Sequence, residues 1–444
     1  MKIGFLAMSG IRAHDPELLR LGLTLPGFVD RSKLIASLPS LGLLYLAAVT
    51  PAGHALRYFE AESDGAEPAE VYGCDLVAIS TFSAQVEEAY AIADRLRMSG
   101  VKVAMGGLHV SVLPDEAARH ADYVVIGEGE NVWPHVVEAA GRRAAPRVFR
   151  SQDFPPVDVA TLPVPRYDLL AGRPYNRFTV QSSRGCPWRC EFCASTVMLR
   201  RPYRKRPVEM VLRDIDAVLA LRPGAFFEFA DDNTFVDKAW GRRLCRALIP
   251  RRIKWFTETD ISLADDEQLL DLMRESGCRQ VLIGLESADA PPLKGLELRS
   301  DFKARRAGRY AESIPQIQSH GMPVNGCFVL GLAGQTTDLP QRVAEFAEEV
   351  GLYDVQITVQ TPFPGTPLYD RLARAGRLIR QDAWKSCTLF DVNYLPTHMT
   401  PDELAKGMRW LTQALYNQDA TDRRRRKFFE QVKTGRRGEV LEPA

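Results

Sequence analysis

Three closely spaced cysteines carry the strongest chemical signal in the chain. Cys186, Cys190 and Cys193 form a C-x3-C-x2-C triplet directly after the apolar segment 178–181. That segment is typical of a β-strand, so the triplet is predicted on the loop that leaves the strand. Four cysteines complete the usual ligand set of an iron–sulfur cubane, whereas three leave one iron without a protein ligand. An open coordination position suits a metal centre that binds and activates a substrate.

A zinc site is the main alternative for these cysteines. Zinc sites usually pair C-x2–4-C with a second Cys or His pair roughly 12 to 20 residues further on. Downstream of the triplet the next cysteine is Cys245, and no histidine occurs before His320. The spacing therefore favours an iron–sulfur cluster over zinc and over a chance group of buried thiols.

The surroundings of the triplet point to a known superfamily. With Pro187 after the first cysteine and the aromatic Phe192 before the third, the segment resembles the signature of radical S-adenosylmethionine (radical SAM) enzymes. The resemblance implies a [4Fe–4S] cluster on the three cysteines, with the amino and carboxylate groups of SAM on the fourth iron and Phe192 at the cofactor. One-electron reduction of the sulfonium would then release methionine and a 5′-deoxyadenosyl radical.

Composition bounds the remaining possibilities. The 444 residues suggest two or three domains, and 57 basic against 56 acidic residues give no global electrostatic case for nucleic-acid or membrane binding. No run of 18 apolar residues occurs, and the short apolar N-terminus is typical of a first strand rather than a signal peptide. The other five cysteines lie in apolar or helical contexts, so a reducing cytoplasm is the predicted location.

The N-terminal part, residues 1–145, alternates strands with helices. The predicted strands are Lys2–Met8, Leu56–Glu60, Asp75–Thr81, Val101–Met105 and Tyr123–Ile126, and the predicted helices include Leu43–Thr50 and Ala84–Met98. This order predicts an α/β domain with a doubly wound, parallel, Rossmann-like sheet, which binds ligands at the carboxyl ends of its strands.

Small and polar residues stand at those strand ends. They are Ser80 and Thr81, Gly106 and Gly107, and Gly127 and Glu128. Glycines there let the backbone approach a bulky ligand and offer amide donors. Taken alone, the pattern also fits a regulatory or packing domain that binds no ligand.

Four segments together resemble the cobalamin-binding domain of B12-dependent radical SAM enzymes. They are residues 40–48, the Gly-Gly-x-His-x-Ser of 106–111, the Leu-Pro-Asp-Glu of 113–116 and the Ile-Gly-Glu-Gly-Glu of 126–130. The resemblance implies that the corrinoid's nucleotide tail enters the sheet and that the corrin face lies near residues 40–45. The cobalamin-binding residues that it implies are Ser40, Gly42, Ser80, Thr81, Gly106, Gly107, His109, Gly127 and Glu128.

One departure concerns the axial ligand of the cobalt. Carriers such as methionine synthase supply a histidine from D-x-H-x-x-G after the first strand, but residues 9–15 read S-G-I-R-A-H-D here. His14 is interpreted as a solvated loop residue, and His109 as a contact to the nucleotide loop rather than to cobalt. The hypothesis is a corrinoid without a protein imidazole, which would favour transfer of an upper methyl group.

Residues 146–175 are a proline-rich linker, and the alternation of strands and helices resumes over 176–370. The resemblance implies a partial (β/α)6 radical SAM barrel there. The predicted strands are Phe178–Gln181, Phe226–Ala230, Trp255–Thr257, Gln280–Leu285, Val324–Leu330 and Gln356–Gln360. The predicted helices are Pro207–Leu221, Trp240–Leu248, Asp266–Ser276, Arg305–His320 and Leu339–Val350.

Active residues of such barrels come from the carboxyl ends of the strands. After the second strand, Asp231 or Asp232 is expected at the SAM amino group, with a helix N-cap as the alternative. Glu258, after the third strand, is expected to face the ribose or the substrate and is the first candidate catalytic residue. Glu286 and Ser287, in a G-x-E-S element, are expected at the SAM ribose or carboxylate.

The last two strand ends carry weaker signals. Gly331 is expected beside the adenine, and Tyr369 is the second candidate catalytic residue, near the substrate or else in the core. Residues 371–444 are predicted to be a small, mostly helical region, with a helix at Pro401–Tyr416, that caps the barrel. The basic run Arg423–Lys427 is interpreted as a solvated face or frayed helix end, with an anionic partner as the alternative.

The resemblance as a whole implies a cobalamin-dependent radical SAM methyltransferase that acts on an unactivated carbon of a natural-product or lipid-like small molecule. Its cofactors would be the [4Fe–4S] cluster, SAM and cobalamin, and its electron donor a flavodoxin- or ferredoxin-type reductant. A cyclase, ring-contracting or oxidising enzyme with the same cofactors is the alternative, and a non-enzymatic sensor is a third possibility. No nucleic-acid partner and no stable membrane insertion are expected, and no residue selects the substrate.

Overall fold

Two parallel sheets organise the protein in a computed structural model, which describes residues 1–8, 10, 13–24, 38–62, 66–175, 177–195 and 202–439. The first sheet has six strands in the order β2-β1-β3-β4-β5-β6. They are β1 (Lys2–Ala7), β2 (Ala55–Glu60), β3 (Leu76–Ser80), β4 (Lys102–Gly106), β5 (Tyr123–Ile126) and β6 (Arg147–Arg150). The strand order reverses between β1 and β3, which is where doubly wound folds bind ligands.

Helices cover the first sheet and explain its apolar strands. Ile3, Phe5 and Leu6 of β1 are all fully buried, as expected when both faces of a parallel strand are covered. The helices are α1 (Pro16–Thr24), α2 (Leu41–Ala48), α3 (Val86–Met98), α4 (Leu108–Val112), α5 (Pro114–Ala117) and α6 (Trp133–Gly141). The predicted Rossmann-like domain is confirmed.

The first sheet extends further than predicted. Strand β6 lies within the range assigned to the linker, yet it pairs with β5 from Tyr123↔Arg147 to Ile126↔Arg150. The strand is short, and only Phe149 is buried while its two arginines are exposed, so its sequence predicts a strand only weakly. Pairing with β5 stabilises it in the folded protein.

The second sheet is the predicted partial barrel of six parallel strands, in the order β14-β13-β12-β11-β10-β7. They are β7 (Arg177–Val180), β10 (Phe226–Phe229), β11 (Lys254–Thr259), β12 (Cys278–Glu286), β13 (Val324–Leu330) and β14 (Asp354–Val359). Between β7 and β10 lies a small antiparallel hairpin of β8 (Ser183–Arg184) and β9 (Arg204–Lys205).

The helices of the barrel agree with the prediction except at one place. They are α7 (Val208–Leu221), α8 (Lys238–Leu248), α9 (Glu267–Glu275), α10 (Phe302–Ala307), α11 (Tyr310–Ser319) and α12 (Leu339–Val350). The single helix predicted over Arg305–His320 is wrong, because α10 ends at Ala307, next to Gly308, and α11 begins at Tyr310. Glycine is a poor helix former, so it allows this break.

The C-terminal region is helical, as predicted, with α13 (Pro367–Arg374), α14 (Pro401–Tyr416) and α15 (Gln418–Glu439). The basic run lies on α15 and packs against the end of α12. Arg424 is buried and donates to the Leu415 carbonyl at 2.8 Å, while Lys427 donates to the Glu348 carbonyl at 3.2 Å. The interpretation as a solvated face is therefore wrong for these two residues, which satisfy carbonyls near helix ends.

One hydrophobic core contains residues of both sheets. Helix α2 contributes to this core at the boundary between the first sheet and the barrel. At this boundary Tyr45 of α2 donates to Asp214 at 3.3 Å, and Arg206 pairs with the same carboxylate at 2.6 Å. Both members of the Arg206–Asp214 pair are fully buried. The contact fixes the Rossmann-like domain against the barrel. In the described part of the chain, no helix has the length and apolarity needed to cross a membrane.

Candidate functional site

A cavity of about 360 Å³ opens at the carboxyl ends of the barrel strands. Among the predicted site residues, it is lined by Cys186, Cys190, Phe192, Cys193, Asp232, Glu258 and Glu286. The topology brings these residues together because the ends of six parallel strands meet at one face of the barrel.

Asp231 anchors the loop that carries the cysteines. Its carboxylate accepts hydrogen bonds from the backbone of Ser182 at 2.8 Å and of Ser183 at 2.9 Å, and from the Thr234 hydroxyl at 3.0 Å. Burial raises the pKa of Asp231 in spite of these hydrogen bonds. Asp231 does not line the cavity, whereas Asp232 does and accepts from the Gly185 backbone at 3.0 Å.

The other side of the cysteine loop is held by residues that the sequence analysis did not identify. The Glu297 carboxylate accepts the Arg189 amide at 3.0 Å. Trp188 stacks on Phe302 with ring centroids 3.9 Å apart, and its indole donates to Asp260 at 2.9 Å. These contacts fix the loop at both ends, and no sequence pattern distinguishes them from ordinary packing.

The three thiols of the triplet line the same cavity. Burial raises the pKa of Cys186 to about 12, and the charge of Cys193 adds to the effect. Asn233 donates toward the Cys186 sulfur at 3.9 Å, and Ser195 lies 3.5 Å from the Cys193 sulfur. Within the described ranges, no three acidic, His or Cys side chains are gathered tightly enough to bind one metal ion. The three thiols therefore reach one cavity from one loop.

Glu258 has an unusual electrostatic position in this cavity. Glu258 lines the cavity and is accessible there, although the surrounding protein removes much of the water from its carboxyl group. Burial raises its pKa to about 7, and the charges of Glu228, Asp232 and Asp231 contribute to the increase. A carboxyl group with this pKa can hold or release a proton near neutral pH.

Besides Asp231, three predicted residues do not line the cavity. Ser287 is fully buried, and its hydroxyl accepts from the Asp289 amide at 3.2 Å. Gly331, at φ +89°, packs on the C-terminal region, where Tyr394 donates to its carbonyl at 2.6 Å. Tyr369 donates to the Gln381 carbonyl at 2.9 Å and packs near Trp384. The structure thus places Gly331 and Tyr369 in packing contacts, because the C-terminal region covers these strand ends.

A second pocket, of about 150 Å³, opens at the strand ends of the first sheet. Of the predicted cobalamin-binding residues, it is lined by Gly42, Ser80, Gly106, Gly107 and Gly127. Gly107 has φ +101°, and a Cβ there would lie 2.6 Å from the Thr81 carbonyl oxygen. Glycine is therefore required at this turn, and the cradle fits a bulky ligand that approaches the backbone.

Four predicted cobalamin-binding residues do not line this pocket. The Ser40 amide donates to Tyr58 at 2.8 Å, and Thr81 is buried against the Phe82 carbonyl. Glu128 is buried and bonded to Arg184 and Arg204 of the barrel domain.

His109 is the fourth of these residues. One ring nitrogen lies 3.0 Å from the Ser83 hydroxyl and the other lies 3.3 Å from Glu116. Burial lowers the pKa of His109, although Glu116 opposes the shift. With both nitrogens engaged, this side chain is not oriented as a metal ligand.

His14, which the sequence analysis interpreted as a solvated loop residue, is exposed, and its ring contacts the Lys385 carbonyl at 3.0 Å. Ser9, Ile11 and Arg12 of the same segment lie outside the described residues.

Several functional candidates were missed by sequence reasoning. Glu130 lines the smaller pocket, and Lys303, Cys327 and Asn233 line the larger cavity. Glu130 and Asn233 stand in motifs that the sequence had already singled out. Lys303 and Cys327 carried no signal, because only the barrel topology brings them to the cysteines.

Family comparisons divide the chain into three parts. Residues 31–137 match the B12 binding domain, residues 180–347 match the radical SAM superfamily, and residues 366–442 match a domain of unknown function, DUF4070.

Individual proteins resemble the chain over most of its length. An uncharacterized methyltransferase of Synechocystis (sll1242) is 31% identical over 375 residues, which cover 82% of this chain and 68% of that protein. The hopanoid C-2 methylase of Rhodopseudomonas palustris is 27% identical, covering 82% of this chain and 69% of that protein. The structure of the radical SAM methyltransferase TsrM from Kitasatospora setae, with cobalamin and a [4Fe–4S] cluster bound, matches with a TM-score of 0.65 at 14% identity. That match covers 99% of this chain and 100% of the TsrM chain, and it shows a common fold.

Proposed function

Because the chain belongs to the family of B12-binding radical SAM enzymes, we propose that it is a methyltransferase acting on an unactivated carbon of a small molecule. Its cofactors are a [4Fe–4S] cluster, SAM and cobalamin. When bound, these groups supply a 5′-deoxyadenosyl radical for hydrogen abstraction and a methyl group for transfer.

One observation carries the proposal. The thiols of Cys186, Cys190 and Cys193 line the same cavity as the strand-end carboxylates, while a second pocket opens at the carboxyl ends of the other sheet. This arrangement suits a reaction that needs two cofactor sites with substrate between them. The methyltransferase names of the two relatives support methylation as the outcome.

The residues of the barrel cavity have separable roles in this proposal. The three cysteines hold the cluster, and Phe192 lines the cavity beside them, where it would contact the cofactor. Asp232 receives the SAM amino group, because Asp232 lines the cavity and Asp231 does not. Glu286 lines the cavity in a position to bind the SAM ribose or carboxylate.

Glu258 faces the cavity from β11 and is the catalytic candidate that the geometry supports. Its raised pKa would let it carry a proton near neutral pH and so donate a hydrogen bond to the substrate. Tyr369, the second catalytic candidate, instead bonds to the Gln381 carbonyl outside the cavity, so no catalytic role is assigned to it.

The glycine-lined pocket of the first sheet accommodates part of the cobalamin, with Gly42, Ser80, Gly106, Gly107 and Gly127 in its wall. Because both ring nitrogens of His109 have partners, we further propose that no protein imidazole binds the cobalt.

The proposal extends to the cellular setting. All eight cysteines are free thiols, as expected in a reducing cytoplasm with a flavodoxin- or ferredoxin-type electron donor.

The test is mass spectrometry of SAM-derived products after anaerobic reconstitution, with a strong reductant and with or without cobalamin. The methyltransferase is expected to yield both 5′-deoxyadenosine and S-adenosylhomocysteine, the latter only with cobalamin. Deoxyadenosine alone would favour a cyclase or oxidising enzyme. Neither product, from protein with an intact cluster, would contradict the proposed activity.

A further inference from the structure

The loop after β5 contributes both to the smaller pocket and to the domain boundary. Gly127, Gly129 and Glu130 of this loop line the pocket. Gly127 has φ +88°, and a Cβ on Gly129 would come within 3.0 Å of Leu46, so the backbone is closely constrained. The position of this loop therefore shapes the pocket wall.

Two arginines of the barrel domain bind the glutamates of this loop. Arg184 donates to Glu128 at 2.7 Å and to Glu130 at 2.8 Å, one carboxylate for each terminal nitrogen. Arg204 donates to Glu128 at 2.6 Å. The side chains of Arg184, Glu128 and Glu130 are exposed by only 14%, 4% and 10%.

The arginines are themselves held in place. Arg184 and Arg204 face each other across the β8–β9 hairpin, and Gln181 accepts from the Arg184 guanidinium at 2.9 and 3.1 Å. Arg184 stands two residues before Cys186, at the start of the cysteine loop, and it is not among the residues that line the smaller pocket.

Removal of Arg184 would leave two buried carboxylates separated by a single residue, and Arg204 bonds only to the first of them, Glu128. A buried charge without its partner is strongly unfavourable, so the Glu130 side chain would have to turn toward solvent. Because Glu130 is part of the pocket wall, the wall would move as well. The pKa of Glu128 shows how strongly the two arginines stabilise its charge. Burial alone would raise its pKa, yet the hydrogen bonds from Arg204 and Arg184 lower it.

We propose that Arg184 is a positioning residue for cobalamin, which acts across the domain boundary by holding Glu130 in the wall of the corrinoid pocket. The inference rests on the proposed function in that it takes this pocket as the cobalamin site. Arg184 stands on the loop that would hold the iron–sulfur cluster, and the proposal gives it a part in retaining cobalamin.

The experiment measures the dissociation constant of hydroxocobalamin for the full-length, cluster-loaded protein by anaerobic absorbance titration. We expect Arg184→Gln to weaken binding about tenfold, equivalent to about 1.4 kcal/mol. Arg184→Lys should lose about threefold, because an ammonium keeps the charge but cannot bond both carboxylates as the planar guanidinium does. The matched control is Arg204→Gln, which removes an arginine that bonds to Glu128 and the Val157 carbonyl but not to Glu130, and it should weaken binding less than Arg184→Gln.

A double-mutant cycle separates positioning from general damage to the fold. In a Glu130→Gln background no unpaired charge is left, so Arg184→Gln should cost less than about twofold there. Equal losses in both backgrounds would overturn the proposal, as would unchanged affinity in Arg184→Gln. Iron content is measured for each variant, and if Arg184→Gln does not fold or loses the cluster, the same cycle is run with Arg184→Lys.

Failure of this inference is distinguishable from failure of the proposed function. Absence of cobalamin binding by the wild-type protein would contradict both. Wild-type binding without coupling between Arg184 and Glu130 would overturn the inference alone. Normal coupling in a protein that forms no S-adenosylhomocysteine would support the inference and contradict the methyltransferase.

Discussion

The Lys303 ammonium lies 2.6 Å from the Glu286 carboxylate in the wall of the cavity that the three cysteines line. Lys303 also donates to the Gly284 carbonyl at 2.8 Å. Glu286 has φ +65°, a region that non-glycine residues seldom occupy, and the β12–β13 register shifts at this point. The ion pair thus holds an unfavourable backbone turn that directs Glu286 into the cavity.

Loss of this pair should destabilise the protein markedly. In Lys303→Ala the buried Glu286 charge has no partner, so we expect the free energy of unfolding to fall by about 3 kcal/mol or more, measured by urea denaturation. The control is Lys205→Ala, which removes a partly exposed pair with Asp237 and should cost less than about 1 kcal/mol. Equal losses in the two variants would contradict the role given to the buried pair.

The cysteine triplet should account for all of the protein's iron ligands. Replacing Cys186, Cys190 or Cys193 with Ser is expected to abolish most iron binding after anaerobic reconstitution, measured by iron content and cluster absorbance. The matched control is Cys327→Ser, since Cys327 lines the same cavity from β13 but lies outside the triplet. Loss of the cluster in Cys327→Ser would mean that a fourth cysteine closes the open coordination position.

Glu258 should make stability depend on pH. The folded protein keeps its proton up to about pH 7, whereas the unfolded chain releases it near 4.5. The stability from this group is therefore present below pH 4.5 and is lost as the pH rises to about 7. We expect Glu258→Gln to raise the melting temperature above that of the wild type at about pH 8, and by less at about pH 5.

Glu87→Gln, at an exposed helix position, controls for the loss of any carboxylate. A Glu258→Gln difference that stays constant across this pH range, or follows that of Glu87→Gln, would contradict the raised pKa.

Gly107 should tolerate no side chain. An added Cβ would lie 2.6 Å from the Thr81 carbonyl oxygen, so Gly107→Ala must move the turn at the end of β4. We expect lower stability and at least a tenfold loss of hydroxocobalamin affinity, measured by thermal unfolding and absorbance titration. Gly53→Ala is the control, because Gly53 also has positive φ but has open space around its Cβ position. It should cost about 1 kcal/mol in stability and leave cobalamin affinity unchanged.

The sequence by itself determined the family-defining chemistry and most of the fold. The cysteine spacing indicated the cluster, because ligands supplied by one short loop are already adjacent along the chain. Long apolar strands such as Val324–Leu330 and amphipathic helices such as Leu339–Val350 were predicted with the bounds that the structure has. Local periodicity was sufficient there, since each element buries one face or both faces along its whole length.

Only the tertiary structure decided which strand-end residues reach a cavity. Asp231 and Asp232 are indistinguishable in sequence. In the structure, however, the Asp231 carboxylate binds the backbone of the cysteine loop outside the cavity, whereas Asp232 lines the cavity. Lys303 meets Glu286, and Arg184 meets Glu130, only because separate elements converge. Such contacts depend on the side-chain direction and packing of residues far apart in the chain, which no local pattern records.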